Sequence, residues 1–205
     1  MTIFPDFFRR RTRRGAVALA LAASLTAAAL VALSDPSTAA TTPPSTPTTA
    51  APHCLSRVTG REKSGELRLS TPSCYATFAD MLRNAGIPVT NKEITPSQAL
   101  DQGLIGVKSR VNGAVALDSG WIIGAHFDGH GYTGSSLSVW GSDCSGGYIN
   151  LTGYWANRVS STANGCPVVT HYYWPNLVGT SEATSGGGGD LSTLDNASES
   201  IAYGT

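Results

Sequence analysis

Two short stretches of this chain echo each other. Residues 127–134 read FDGHGYTG and residues 172–179 read YYWPNLVG, each an aromatic, four residues, a large apolar residue, one residue and a glycine. Each is followed by its own tail, WANRVSST from Trp155 and LDNASESI from Leu194, which pairs an apolar lead with oxygen-bearing side chains. A repeated unit constrains the fold strongly, because one copy cannot bury its apolar face alone. From residue 121 the apolar runs are short and separated by glycines: 121–125, 136–140, 148–151 and 168–172. Such runs, with turn signals about every eight to twelve residues, predict an antiparallel sandwich or barrel. Phe127 and Tyr172 are expected to anchor the hairpins, and Gly134 and Gly179 to supply backbone angles denied to other residues.

The opening of the chain reads as an export signal. An arginine-rich run at 9–14 precedes an alanine-rich apolar stretch at 16–33, and Thr38-Ala39-Ala40 offers small residues for cleavage. Residues 1–40 are therefore read as a signal peptide, and the mature protein as secreted, with no membrane segment. The competing reading is an uncleaved anchor, since the stretch approaches the ~20 residues of a spanning helix. The Arg13-Arg14 pair leaves the twin-arginine route open as well. Residues 41–53 are almost entirely Thr, Pro, Ser and Ala, too poor in apolar surface to offset ordering entropy, and read as a disordered linker.

Residues 54–118 read as a small α+β module. At 74–85 the sequence CYATFADMLRNA sets Phe78, Met81 and Leu82 on one helical face, ended by Gly86 and Pro88. Thr95 is placed to cap a second helix beginning at Pro96, and residues 65–70 alternate like a strand. Asp80, Glu93 and Asp101 read as solvated surface carboxylates. All four cysteines, Cys54, Cys74, Cys144 and Cys166, lie in the exported part, so two disulfides are expected. Three pairings are formally open. Cys54 with Cys74 and Cys144 with Cys166 is favoured because each bond stays within one module, worth about 3 kcal/mol apiece in the chain-entropy model.

The formal net charge is zero, and no Lys/Arg cluster follows Arg14, which argues against a nucleic-acid partner. From Trp121 onward the only basic residue of the Lys/Arg type is Arg158, against Asp128, Asp143, Glu182, Asp190, Asp195 and Glu199. That balance suits a cation. No GxSxG, HExxH or paired glycosidase carboxylates occur, and the glycine run at 186–189 is followed by Asp190 rather than by the Lys of a phosphate loop. The run is read as a flexible hairpin connection. No catalytic grouping is found, and the protein is read as non-enzymatic. His126, Asp128 and His130 stand at alternate positions and invite a transition-metal reading; the preferred one points Phe127 inward, turns the chain at Asp128-Gly129 and leaves the polar side chains in water. His53 and His171 have no evident companions. The sequons at Asn150 and Asn196 are assigned no role.

The spacing aromatic, four residues, aromatic, x, Gly with a later polar tail resembles the βγ-crystallin Greek-key motif, two copies of which make one domain. Phe127, Tyr132 and Gly134 match the first copy; the second has Tyr172 and Gly179, with Leu177 where an aromatic is usual. The resemblance implies a two-Greek-key antiparallel sandwich over 119–205 behind the 54–118 module, a mainly β protein. The tails, Ala156-Asn157-Arg158-Val159-Ser160-Ser161 and Asp195-Asn196-Ala197-Ser198-Glu199-Ser200, stand where the family carries N/D-N/D-x-x-S/T-S and binds calcium. It implies side-chain ligands at the fifth positions, Ser160 and Glu199. Backbone carbonyls at the third, Arg158 and Ala197, would join them, with support from Asn157, Asp195 and Asn196. Ala156 and Glu199 depart from the pattern. Hard oxygen donors of this mixture are what calcium takes. The same fold is used by microbial metalloprotease inhibitors and killer-toxin-like proteins, so an extracellular protease or a cell-surface target is the alternative partner.

Overall fold

The computed structural model describes residues 52–105 and 120–205, which lie within one compact unit, Thr46–Thr205. The expected signal, the linker up to residue 51 and residues 106–119 lie outside the described residues. The protein is mainly β, with two sheets, two short α-helices and two disulfides among the described residues.

The chain enters through β1 (His53–Arg61), β2 (Leu67–Leu69) and β3 (Ser73–Tyr75). Helix α1 (Phe78–Asn84) starts where Thr77 accepts the Asp80 amide, and α2 (Pro96–Asp101) starts at a full capping box between Thr95 and Gln98. Helix α2 begins where the Thr95 cap places it, whereas α1 begins inside the expected 74–85 stretch, because 73–75 pair as β3. Eight strands follow: β4 (Trp121–Gly129), β5 (Thr133–Gly141), β6 (Gly147–Asn150), β7 (Ser161–Asn164), β8 (Val168–Trp174), β9 (Val178–Ser185), β10 (Gly188–Asp190) and β11 (Ser200–Gly204). The glycine run is thus partly strand, with Gly188 and Gly189 paired to β7.

The larger sheet has the order β10-β7-β4-β5-β1-β2, with β3 on β1, and the smaller has β6-β11-β8-β9. Within 121–204, then, each run of four strands keeps three in one sheet and sends its third to the other. Strand β6 joins β11, and β10 joins β7. The larger sheet is not wholly antiparallel, because β1 runs parallel to β5 from His53↔Ser136 to Arg57↔Trp140. A parallel neighbour needs a long crossover, and the chain between Arg61 and Trp121 supplies it.

The disulfides are Cys54–Cys74 and Cys144–Cys166. Cys54, Cys144 and Cys166 lie in the core between the sheets with Ile123, Val139, Ile149, Val169 and Ile201. A second core covers the other face of the larger sheet, where Phe78, Met81 and Leu82 of α1 pack with Leu55, Ile122, Phe127 and Trp140. The larger sheet is therefore buried on both faces. Phe127 turns to the helix side, 6.1 Å from Phe78, so by strand alternation His126 points between the sheets.

There His126 meets His171, ring centroids 5.6 Å apart, both fully buried. Tyr203 Oη lies 2.9 Å from His126 Nε2, His126 Nδ1 3.1 Å from Thr162 Oγ1, Thr162 Oγ1 2.8 Å from His171 Nε2, and His171 Nδ1 3.3 Å from Ser198 Oγ. Ser198 Oγ donates to the Ser200 carbonyl, which can only accept, and this fixes the direction of the whole row. Tyr203 donates to His126, His126 to Thr162, Thr162 to His171 and His171 to Ser198. Both imidazoles are neutral, protonated at Nδ1. Burial pushes His171 down to about 4 and, with His171 opposite, holds His126 well below its ordinary value. The expectation that these histidines stand alone or face water is corrected by the second buried face of the sheet.

Protonating either ring removes the acceptor that its neighbour needs. Below about pH 6.5 the unfolded chain takes up protons that the folded chain refuses, so stability falls on acidification until His171 titrates. The slope is about 1.4 kcal/mol per pH unit for each histidine. Urea unfolding between about pH 7.5 and 5 checks this, and Thr162→Val should cost about 1–3 kcal/mol at pH 7.5 by orphaning both rings.

Candidate metal centre

The paired tails are held by contacts that repeat across the two halves. In the first hairpin Ser161 Oγ donates to the Gly129 carbonyl at 2.6 Å and accepts the Tyr132 amide at 3.1 Å. In the second, Ser200 Oγ donates to the Trp174 carbonyl at 2.7 Å and accepts the Leu177 amide at 3.1 Å. The sixth tail residue thus staples its own hairpin. Each hairpin folds back through a single 3-10 turn, His130–Tyr132 or Pro175–Leu177, with Tyr132 and Leu177 at φ 62° and 63°. Gly134 and Gly179 follow at φ 77° and 89°, the left-handed region their positions require.

The exchanged strands add a second clasp. Asp190, ending β10, accepts the Gly131 amide at 2.6 Å; Asn150, ending β6, accepts the Asn176 amide at 2.8 Å. Asn150 Nδ2 also donates to Glu66 Oε1 and Asn176 Oδ1, both at 3.0 Å, so this sequon asparagine is a structural cap. The tails then bond to each other. The Asn157 amide donates to the Ser198 carbonyl at 2.9 Å, and the Asn196 amide to the Val159 carbonyl at 3.0 Å. Asn157 and Asn196 both adopt left-handed backbone, φ 57° and 53°.

These bonds set the two tails beside each other, but the expected metal-site residues are used unequally. Glu199, at the fifth position of the second tail, accepts Asn157 Nδ2 at 2.7 Å, so it faces the first tail. Its counterpart Ser160 is buried, with its amide on the Phe127 carbonyl. Asp195 accepts Asn196 Nδ2 at 2.9 Å and stands 3.1 Å from His130 Nε2, while His130 Nδ1 lies 3.6 Å from Asp190. The Arg158 guanidinium sits over the Tyr154 ring at 4.6 Å. The carbonyls of Arg158 and Ala197 accept no hydrogen bond among the described residues.

The donors are all hard oxygens, a carboxylate, an amide and free carbonyls, which fits calcium and not a softer metal. Among the described residues no group of three or more His, Cys, Asp or Glu is placed to hold a metal. His126 and His130, read together as a transition-metal option, do not converge: one is in the core and the other exposed on the hairpin. Comparison with protein-family models, with curated proteins and with solved structures finds no match in any of the three.

The clasps were not read from the sequence. Asn150-Leu151 and Asp190-Leu191 precede the staple serines by eleven and ten residues, and the one-residue difference hides the repeat. The histidines also repeat, one residue ahead of each aromatic at Phe127 and Tyr172. Ser161→Ala and Ser200→Ala should each cost about 1–3 kcal/mol by orphaning a hairpin amide and carbonyl. Because the two staples are alike in geometry, their losses in chemical-denaturation free energy should match to about 1 kcal/mol.

Proposed function

We propose that the folded part is a secreted, non-enzymatic, βγ-crystallin-like pair of Greek keys that binds calcium weakly where its tails meet. The observation that carries this is the reciprocal exchange of third strands together with the reciprocal bonds between the tails. The two disulfides fit an oxidising compartment, and among the described residues no helix is long and apolar enough to cross a membrane. The row of His, Thr, Tyr and Ser between the sheets is closed to substrate, since every member is buried, and serves packing rather than chemistry.

The asymmetry of the tails favours one cation over two. Glu199, the Asn157 side chain and the free Arg158 carbonyl form the better half. Ser160, Asn196 and Ala197 form the poorer half, with no carboxylate at the fifth position and Asp195 drawn to His130. A site with one carboxylate and several neutral oxygens suits the range of extracellular calcium modules, about 10⁻⁴–10⁻³ M.

Calorimetric titration of calcium into the chelator-treated chain should give about one site in that range, with a melting temperature that rises with calcium. Glu199→Ala should abolish the heat and the shift while leaving the calcium-free melt near that of the parent. A chain that binds no calcium, or whose binding survives Glu199→Ala, sinks the assignment.

A further inference from the structure

On one side the two sheets touch through a single rung and then part. Strands β2 and β6 are the outer strands of their sheets there, joined in parallel by the Glu66–Tyr148 bridge and by the Tyr148 amide on the Gly65 carbonyl. No further rung pairs them among the described residues. The gap beyond the bridge is a cavity of about 640 Å³, open at one side, within the roughly 300–1,000 Å³ common for small-molecule sites. The β1–β2 hairpin, which carries the larger sheet past β5, supplies much of its wall, so the duplicated halves alone do not form it.

The walls are mostly apolar. Leu67 and Leu69 of β2, Leu137 of β5, Ile149 of β6, Leu151 and Trp155 line the cavity, and all six pack with the core between the sheets. One polar atom interrupts this lining. Ser56 is in the wall, on the face of β1 that carries Cys54 and Val58, and is only 1 % exposed. Its Oγ is the one buried side-chain polar atom of the wall that has no hydrogen-bond partner among the described residues. An unpaired buried hydroxyl is costly, and native folds rarely keep one without a reason. The charged groups at the cavity are already engaged. Glu62 pairs with Arg68 at 3.3 Å, and Glu66 accepts Asn150 Nδ2 at 3.0 Å. A charged ligand would lose water against the leucines and find no free counter-charge.

We propose that this cavity binds an uncharged aliphatic molecule with one oxygen, an alcohol or a ketone, whose hydrocarbon body lies along the leucines and whose oxygen meets the Ser56 hydroxyl. A serine hydroxyl both donates and accepts, so either kind of oxygen completes it. The site is separate from the tails, none of whose expected calcium ligands lines it, and it stands or falls independently of them.

Octanol and octanone serve as probes, with octanoate and octylammonium as charged comparisons of equal chain length, each titrated by calorimetry into the disulfide-intact chain at about pH 7. The two neutral probes should bind and compete with each other, and the two charged ones should bind at least about tenfold more weakly. Ser56→Ala should weaken octanol about three- to tenfold by removing the hydrogen bond, without lowering the ligand-free melt, because the hydroxyl has no partner to lose. Ser56→Leu, which fills the wall, should abolish binding. In the parent chain, nuclear Overhauser contacts from octanol should fall on the methyls of Leu67, Leu69 and Ile149, a readout independent of how the variants fold. No binding up to the solubility of octanol, contacts elsewhere, equal binding of either charged probe, or a Ser56→Ala chain that holds octanol as tightly as the parent overturns the proposal.

Discussion

Neither half of the β body closes its own sheet. Each lends its third strand to the other and receives one in return, so β6 completes the smaller sheet and β10 the larger. Everything at the tails follows from that exchange. The lent strands end in Asn150 and Asp190, which clasp the partner hairpins, and the chain that returns from each carries the tail inward to its staple serine. The fifth tail residues close the arrangement, Ser160 accepting the Leu191 amide and Glu199 the Leu151 amide, both at 2.8 Å. The proposed calcium site is thus built from residues of both halves and has no counterpart within one.

The polar row between the sheets is a second consequence of duplication. His126 and His171 are repeat-equivalent, and the pseudo-two-fold brings their rings together edge to face where two aliphatic residues would ordinarily pack. Two neutral rings are tolerated because each finds one donor and one acceptor. An unpaired buried polar group would cost more than the aliphatic alternative, so the row also specifies the register in which the sheets meet.

What was legible in the sequence was local. The echo located both hairpins and their glycines, the apolar spacing located α1 and the Thr95 cap α2, and proximity along the chain gave both disulfide pairs. What was hidden was long-range. Strand β1 pairs with β5 across 83 residues, from His53 to Ser136, and no spacing rule announces a parallel neighbour at that distance. Its arrival, with α1 behind it, buries the face of β4 that carries Phe127 and leaves the space between the sheets to His126. The same limit applies to the tails, where residue types suggested ligands, but only the folded chain shows Glu199 turned onto Asn157 and Ser160 shut away.

The central claim, that the halves cannot stand apart, is tested most directly by native-state hydrogen exchange of the tail amides. Asn157 and Asn196 donate across the halves, while Ser160 and Glu199 donate within them. If each half completes the other, all four amides should exchange only through global unfolding, with equal free energies that shift together with denaturant. If Asn157 and Asn196 exchange through a cheaper opening in which one half keeps its protection, the halves are independent units and the interlocked account is wrong.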